Sequence, residues 1–288
     1  MVKTKMKKGD TIVYTPESSL RHPALLLADM FSDLIAGREL SLQLAIRDIS
    51  AQYRQAALGL LWAFILPLAH TITWVFLSDA GIVTISESAL PYPIYAFTGT
   101  MLWSIFMDAV NAPLQHTTAA KQMLAKINFK REALVVSGIY QTVFNAAIKI
   151  VLLLIALMLL GIHPEWTLIW FPLGIISLIL AGTVLGLLIT PIGMLYTDIG
   201  KSLPLLMQFL MYLTPVVFTM PNSGWAATIF KLNPITPLIL ATRGWLTGFS
   251  PDDLGYFFIV NTLTIGLLLV VWVIYRAAIP ILIERLSA

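Results

Sequence analysis

Charged residues fall along this chain in clusters separated by long apolar runs. No charge occurs in the 24 residues between Arg54 and Asp79, or in the 20 between Glu87 and Asp108. A helix needs ~20 residues to cross about 30 Å of hydrocarbon. The pattern predicts six spans, near residues 56–78, 93–115, 133–161, 166–191, 203–220 and 254–275. The expected fold class is therefore an all-α integral membrane protein with six transmembrane helices.

The segments between the spans carry their own periodicities. In the stretch before the first span, Leu42, Ile46, Ile49 and Tyr53 recur at i, i+4, i+7 and i+11, with Gln43, Arg47, Ser50 and Arg54 one position along. One apolar and one polar stripe about 100° apart predict an amphipathic helix lying in the membrane interface. The expected organisation is a polar N-terminal extension (1–30), this interface helix (31–55) and a six-span domain (56–288). Between the second and third spans, Ala120, Met123, Leu124 and Ile127 form an apolar face opposite Lys121, Gln122 and Lys126, as in a short helix that docks into a partner's groove. Residues 221–251 are too apolar for a water-exposed loop and are broken by Pro234 and Pro237. Trp225, Ile229 and Leu232 recur at helical spacing before the break, and Leu238, Ala241, Thr242 and Trp245 after it. Two short re-entrant helices that bury these faces against each other and against the fifth and sixth spans, as a lid over a pore, are expected.

Composition agrees: 58% of residues are hydrophobic and 11% charged, with a mean hydropathy of +0.84. A soluble domain has roughly a quarter of its residues charged. The basic start is followed by Gly9, Asp10 and Pro16 rather than an apolar core, so no cleavable signal peptide is expected. Fifteen Lys and Arg fall on one set of connections and only Lys231 and Arg243 on the other. The positive-inside rule then places both termini in the cytoplasm, and the net charge of +3 reflects topology rather than a nucleic-acid partner.

Chemistry is sparse. No Gly-x-x-x-x-Gly-Lys-Ser/Thr run exists to hold phosphates, so no ATP hydrolysis by this chain is expected. There is no cysteine, the four histidines show no zinc spacing, and no Gly-x-Ser-x-Gly elbow is present. Asp108 and Lys149 fall within predicted spans, where an ionisable group is a functional candidate by default. The span boundaries offset them in depth by about 12 Å, so a direct ion pair requires a different helix register. Interhelical contact and channel lining are the two readings.

Several stretches together resemble the permease subunits of type-2 ABC exporters for O-antigen and other polysaccharides. They are Arg47-Asp48 with Tyr53, Gln55, Leu58-Gly59, Trp62 and Pro67; Asn128-Phe129-Lys130-Arg131-Glu132; Tyr196-Thr197-Asp198-Ile199 with Pro204; Leu213-Thr214-Pro215-Val216; and Asn233-Pro234-Ile235-Thr236-Pro237 with Arg243. The resemblance covers about residues 30–275 in order. It implies a half-transporter of the bacterial inner membrane that pairs with a second copy of itself and with two ATPase subunits. ATP and Mg would be bound by those partners, and no cofactor by this chain. It implies residues 34–55 as interface helix, Leu58-Gly59 as the loop at the channel entrance, residues 117–127 as coupling helix and residues 222–248 as periplasmic gate. The substrate would be an undecaprenyl-type lipid-linked polysaccharide. Arg47 and Arg54, with Tyr53 beside them, suit its pyrophosphate or the headgroups of membrane lipids. Trp62, Trp74, Phe209, Tyr212 and Phe218 on the first and fifth spans would offer faces for sugar stacking. Residues 1–30 and Lys149 match no motif of the family. The same fold exporting teichoic acid or capsule is one rival, and an ion-coupled secondary transporter using Asp108 and Lys149 is another. A membrane-embedded glycan enzyme lacks a convergent acid/base cluster.

Overall fold

The computed structural model describes residues 23–54, 61–82, 90–126, 130–162, 165–221, 223–251 and 253–287, and among them every regular element is helical. The helices are α1 (Pro23–Ala36), α2 (Arg38–Arg54), α3 (Trp62–Asp79), α4 (Tyr92–Ala119), α5 (Lys121–Lys126), α6 (Glu132–Leu159), α7 (Phe171–Leu195, after a 3-10 turn Trp166–Trp170), α8 (Thr197–Tyr212), α9 (Gly224–Leu232), α10 (Ile235–Thr247) and α11 (Leu254–Ser287). Three helical stretches, 132–159, 166–195 and 254–282, are long and apolar enough to cross a bilayer by themselves, and Phe64–Asp79 forms a shorter apolar helix.

α4 is the centre of the molecule, with 19 of its 28 residues buried. It packs on α3, α6, α7 and α10. The approach to α7 is close because Gly182 and Gly186, one turn apart, face the backbone of Phe106 and Val110, where a Cβ would collide. Without a hydrophobic drive between helices in lipid, such small-residue contacts hold a bundle together.

Two expected boundaries change. The polar extension does not run to residue 30: α1 starts at Pro23, and Met30 is fully buried against Trp272 of α11. Leu27, Met30 and Leu34, at i, i+3 and i+7, form the side that packs there, and Asp29, Ser32 and Asp33 between them hide that periodicity in the sequence. The predicted fifth span is also not one helix, because α8 ends at Tyr212 and is only ~24 Å long.

α2 buries Ser41, Leu44 and Ala45 while Leu42 and Ile46 of the predicted apolar stripe remain about half exposed. A salt-bridge cluster ties α1 to the rest: Lys130 lies 2.8 Å from Asp33, and Arg276 of α11 lies 2.8 Å from Asp33 and 2.5 Å from the buried Glu132. Burial alone would raise the Asp33 carboxyl, but hydrogen bonds from Lys130 and Arg276 and their charges outweigh it and hold the pKa below its ordinary value. A depressed pKa contributes stability that is present above the unfolded pKa, about 4, and lost as pH falls through the folded one. Asp33→Asn should therefore lower the melting temperature at neutral pH and flatten the acid limb of a melting profile recorded from pH 7 to 3.

Candidate functional site

α3 and α8 present the aromatic residues singled out by the sequence. Trp74 stands edge-on to Tyr212 (5.8 Å between centroids) and to Phe218 (4.9 Å), so three of the five channel candidates form one cluster. Gln208 donates to the Tyr212 hydroxyl at 3.2 Å. Trp62 and Phe209 do not join it; they are exposed, as are Leu66 and Phe76 on α3 and Leu205 and Leu206 on α8. Only Leu203 and Met211 of α8 are buried, leaving an apolar face uncovered in the single chain.

Beyond Tyr212 the backbone leaves the helix, and the carbonyls of 213–218 lose their ladder partners. An unpaired carbonyl in an apolar surrounding costs several kcal/mol, on the order of the hydrogen bonds it lacks. α10 and α4 supply those bonds. Arg243 donates to Pro215 O (2.9 Å) and Val216 O (2.7 Å), and its guanidinium lies 3.7 Å from the centre of the Tyr95 ring. The Tyr95 hydroxyl is 3.1 Å from both Pro215 O and Phe218 O. Asn233 donates to Leu213 O (2.9 Å) and Thr214 Oγ1 (2.8 Å) and accepts from Ile235 N. Gly99 of α4 leaves the room: a Cβ there would strike the Val216 carbonyl and an Arg243 nitrogen. Counting Arg243 as an outer-loop charge is thus corrected, since it is 3% exposed and serves the backbone.

Two short helices occupy 224–247 as expected, and α10 packs on α11, the predicted sixth span, but the predicted apolar face of α9 does not turn inward. Trp225, Ile229 and Leu232 point outward, with Trp225 78% exposed, and α9 is anchored instead by Ala227 and Phe230. α10 is buried along nearly its whole length, and Trp245 packs edge-on to Phe257 of α11 at 5.1 Å. The periodicity locates the helices; which face turns inward is set by the Arg243 and Asn233 bonds, which the apolar pattern ignores.

At the opposite end, polar groups run from α2 onto α4 and α6. Arg47 pairs with Asp48 of its own helix at 2.7 Å and is otherwise exposed. Asp48 lies 3.4 Å from His116, which bonds Gln141 at 2.6 Å, and Gln141 donates to Gln52 at 2.8 Å. Tyr53 donates to Asn145 at 2.9 Å. Burial, and secondarily the charge of Asp108, pushes the Tyr53 phenol up. Arg54 is exposed, and Leu58, Gly59 and Ile127 lie outside the described residues. Deeper in the bundle, Lys149 donates to Asp108 Oδ2 (2.8 Å), Ser104 Oγ (2.6 Å) and Ser104 O (3.2 Å). The depth offset inferred from the sequence is corrected: α4 runs on to Ala119 and α6 begins at Glu132, cutting the difference to about 9 Å, most of which a lysine side chain spans.

Of the predicted docking face, Ala120 is buried with Leu44 of α2 and Leu134 of α6, Met123 and Leu124 of α5 are half-buried against them, and Gln122 is exposed. A six-residue helix cannot stand alone in water, so its apolar side goes to the nearest covering surface.

Comparison with known proteins bears on the whole arrangement. Residues 40–247 match the family model described as ABC-2 type transporter. The chain is 24% identical to the O-antigen export system permease protein RfbA of Myxococcus xanthus over 210 residues, covering 72% of this chain and 80% of that protein. It is 22% identical to the RfbA permease of Klebsiella pneumoniae (78% and 85% covered) and 25% identical to the polysialic acid transport protein KpsM of Escherichia coli (78% and 90% covered). A membrane-length helical bundle with a broken helix braced by Arg243, matched by that family model over most of its length, belongs to the ABC-2 type transporter family as a permease of the polysaccharide-export kind.

Proposed function

We propose that this chain is the channel-forming half of an ATP-driven exporter that moves a lipid-linked O-antigen or related polysaccharide across the inner membrane. It works as a pair of six-span subunits, termini in the cytoplasm, above two ATPase subunits that bind ATP and Mg. The carrying observation is the apolar surface left uncovered on α3 and α8, where Phe76 and Phe209 stay exposed near the Trp74–Tyr212–Phe218 cluster and Trp62 and Leu205 stay exposed further along the same helices. A second copy set against it would enclose a route lined by aromatic rings, which stack on the CH faces of sugars. The names of the relatives supply the substrate class. Exposed Arg47 and Arg54 on α2 would meet the anionic pyrophosphate of an undecaprenyl-type lipid. The Lys149–Asp108 pair fits an interhelical contact as well as the ion-coupled alternative, and the stability and export of variants at the pair separate the two.

The test is export in cells lacking their own copy, read as surface polysaccharide. The chain with its ATPase should restore it, and a Walker-A lysine substitution in the ATPase should abolish it. Arg47→Gln with Arg54→Gln should reduce it at least about tenfold, the loss of one or more charge-assisted bonds. Export driven by this chain without an ATPase would refute the reading. Restored export of teichoic acid or capsule, with no O-antigen-type product, would move the substrate within the class.

A further inference from the structure

α1 and α2 form one helical rod with an apolar side that the chain leaves uncovered. The backbone ladder carries through Gly37, whose N–H donates to Asp33 O and whose carbonyl accepts from Ser41 N, both at 2.9 Å, so the two helices keep one phase. Met30, Leu34, Ser41, Leu44 and Ala45 turn to the bundle. Roughly a third of a turn round, Phe31 and Ile35 are 51% and 64% exposed, in line with the half-exposed Leu42 and Ile46 of α2. The remaining side is polar or small and exposed, with Ser32, Ala36, Gln43, Ser50 and Arg54. A helix with three such sides meets protein, an apolar medium and water at once.

Depth identifies the apolar medium. Met30 and Phe31 pack on Trp272, Phe31 edge-on at 5.5 Å between ring centroids. Trp272 stands ~27 Å from Leu254 along α11, so where the stretch 254–282 crosses about 30 Å of hydrocarbon it lies at the far edge, the level favoured by tryptophan. At that level the neighbour of an uncovered side is lipid. Its charge is indicated too: Arg38, exposed between Ile35 and Leu42, has no ion-pair partner among the described residues. The sequence before α1 holds Lys3, Lys5, Lys7, Lys8 and Arg21 against Asp10 and Glu17. We propose that α1, which lies outside the matched residues 40–247, is a membrane-seated arm: Phe31 and Ile35 insert among the acyl chains of the leaflet at the α5 end, and Arg38 and the lysines gather anionic phospholipid there. Seated so, α1 keeps Asp33 against Lys130 and Arg276 and ties the entry of α6 to the end of α11. The assignment does not depend on what is exported.

The chain has no cysteine, so single cysteines carrying the NBD fluorophore report each side of the rod separately in the full-length protein. In nanodiscs of equal phosphatidylglycerol and phosphatidylcholine, labels at Phe31→Cys, Ile35→Cys and Leu42→Cys should lose most of their fluorescence to doxyl-labelled lipid and resist aqueous dithionite. Labels at Ser32→Cys, Ala36→Cys and Gln43→Cys should behave the opposite way. Because Phe31 touches Trp272, position 35 carries the test if the Phe31 variant assembles poorly. Reduction by dithionite at 31 and 35 without lipid quenching would place α1 in water and overturn the proposal. Protection from both reagents would overturn it as well, giving the face to a second copy or another protein. Quenching at 35 should be stronger when the doxyl group is carried by phosphatidylglycerol than by phosphatidylcholine, and Arg38→Gln with Lys3, Lys5, Lys7 and Lys8 replaced by Gln should remove the difference. Equal quenching by the two lipids around the wild-type charges would refute the anionic leaflet.

Discussion

Arg243→Met should abolish assembly of the protein, leaving little monodisperse material after detergent extraction. Two charge-assisted bonds to Pro215 O and Val216 O would be lost, each worth about 1.5–3 kcal/mol, together with a cation–π contact of roughly 2 kcal/mol. The larger loss is what remains: two carbonyls with weakened or absent partners in an apolar surrounding that offers no water. Since membrane domains share the marginal net stability of other folds, on the order of 5–15 kcal/mol, this is a large fraction of the whole. Gly99→Ala should fail similarly by a different route, because its methyl group would occupy the place of the Val216 carbonyl. Arg243→Lys keeps the charge but not the fork that reaches both oxygens, so it should recover part of the yield. Size-exclusion profiles and melting curves of the three variants read these outcomes. A well-assembled Arg243→Met protein would show that the 213–218 segment is stabilised elsewhere.

Breaking the Asp108–Lys149 pair from one side should cost more than removing it altogether. Asp108→Leu leaves a lysine whose side chain is 6% exposed with no anion, a loss of about 3–5 kcal/mol for a buried pair. Lys149→Met leaves Asp108, which at 31% exposed is partly screened, and should sit toward the lower figure. The double variant replaces an ion pair with apolar contact between α4 and α6 and should regain most of the stability. Its export activity decides the role. An interhelical contact predicts that export returns with stability, whereas a channel-lining or ion-coupling role predicts a stable but inactive double variant.

The helices are legible in the sequence because a charge-free apolar run of hydrocarbon length is stable only as a spanning or deeply buried helix, and α6 and α11 begin within a residue of where the pattern puts them. What escapes is every feature decided by backbone polarity rather than side-chain hydrophobicity. Residues 213–220 continue an apolar run, so periodicity extends the fifth span through them, yet Pro215 lacks the N–H that would continue the ladder. A lone arginine at 243 in an otherwise apolar stretch is the available signal for the brace, and by position alone it reads as a surface charge. Lys130 and Arg276 likewise read as topology charges, although their carboxylate partners Asp33 and Glu132 lie up to 243 positions away and no local pattern links them. The aromatic cluster is partly legible because Trp74 and Tyr212 lie near the C-terminal ends of α3 and α8 and Phe218 follows six residues on; Trp62 and Phe209 are not distinguishable from them by residue type.

The brace around Pro215 also sets an order of events on the ribosome. Tyr95 and Gly99 emerge early, and the carbonyls that need them follow about 120 residues later. At roughly 5–20 residues per second that is a wait of about 6–24 s. Arg243 appears 28 residues after Pro215. Until then the open segment has only the α4 hydroxyl, so α4 must already be seated when α8 leaves the translocon, and an insertase or the translocon wall has to shelter the loose carbonyls for the roughly 1.4–5.6 s before Arg243 is added.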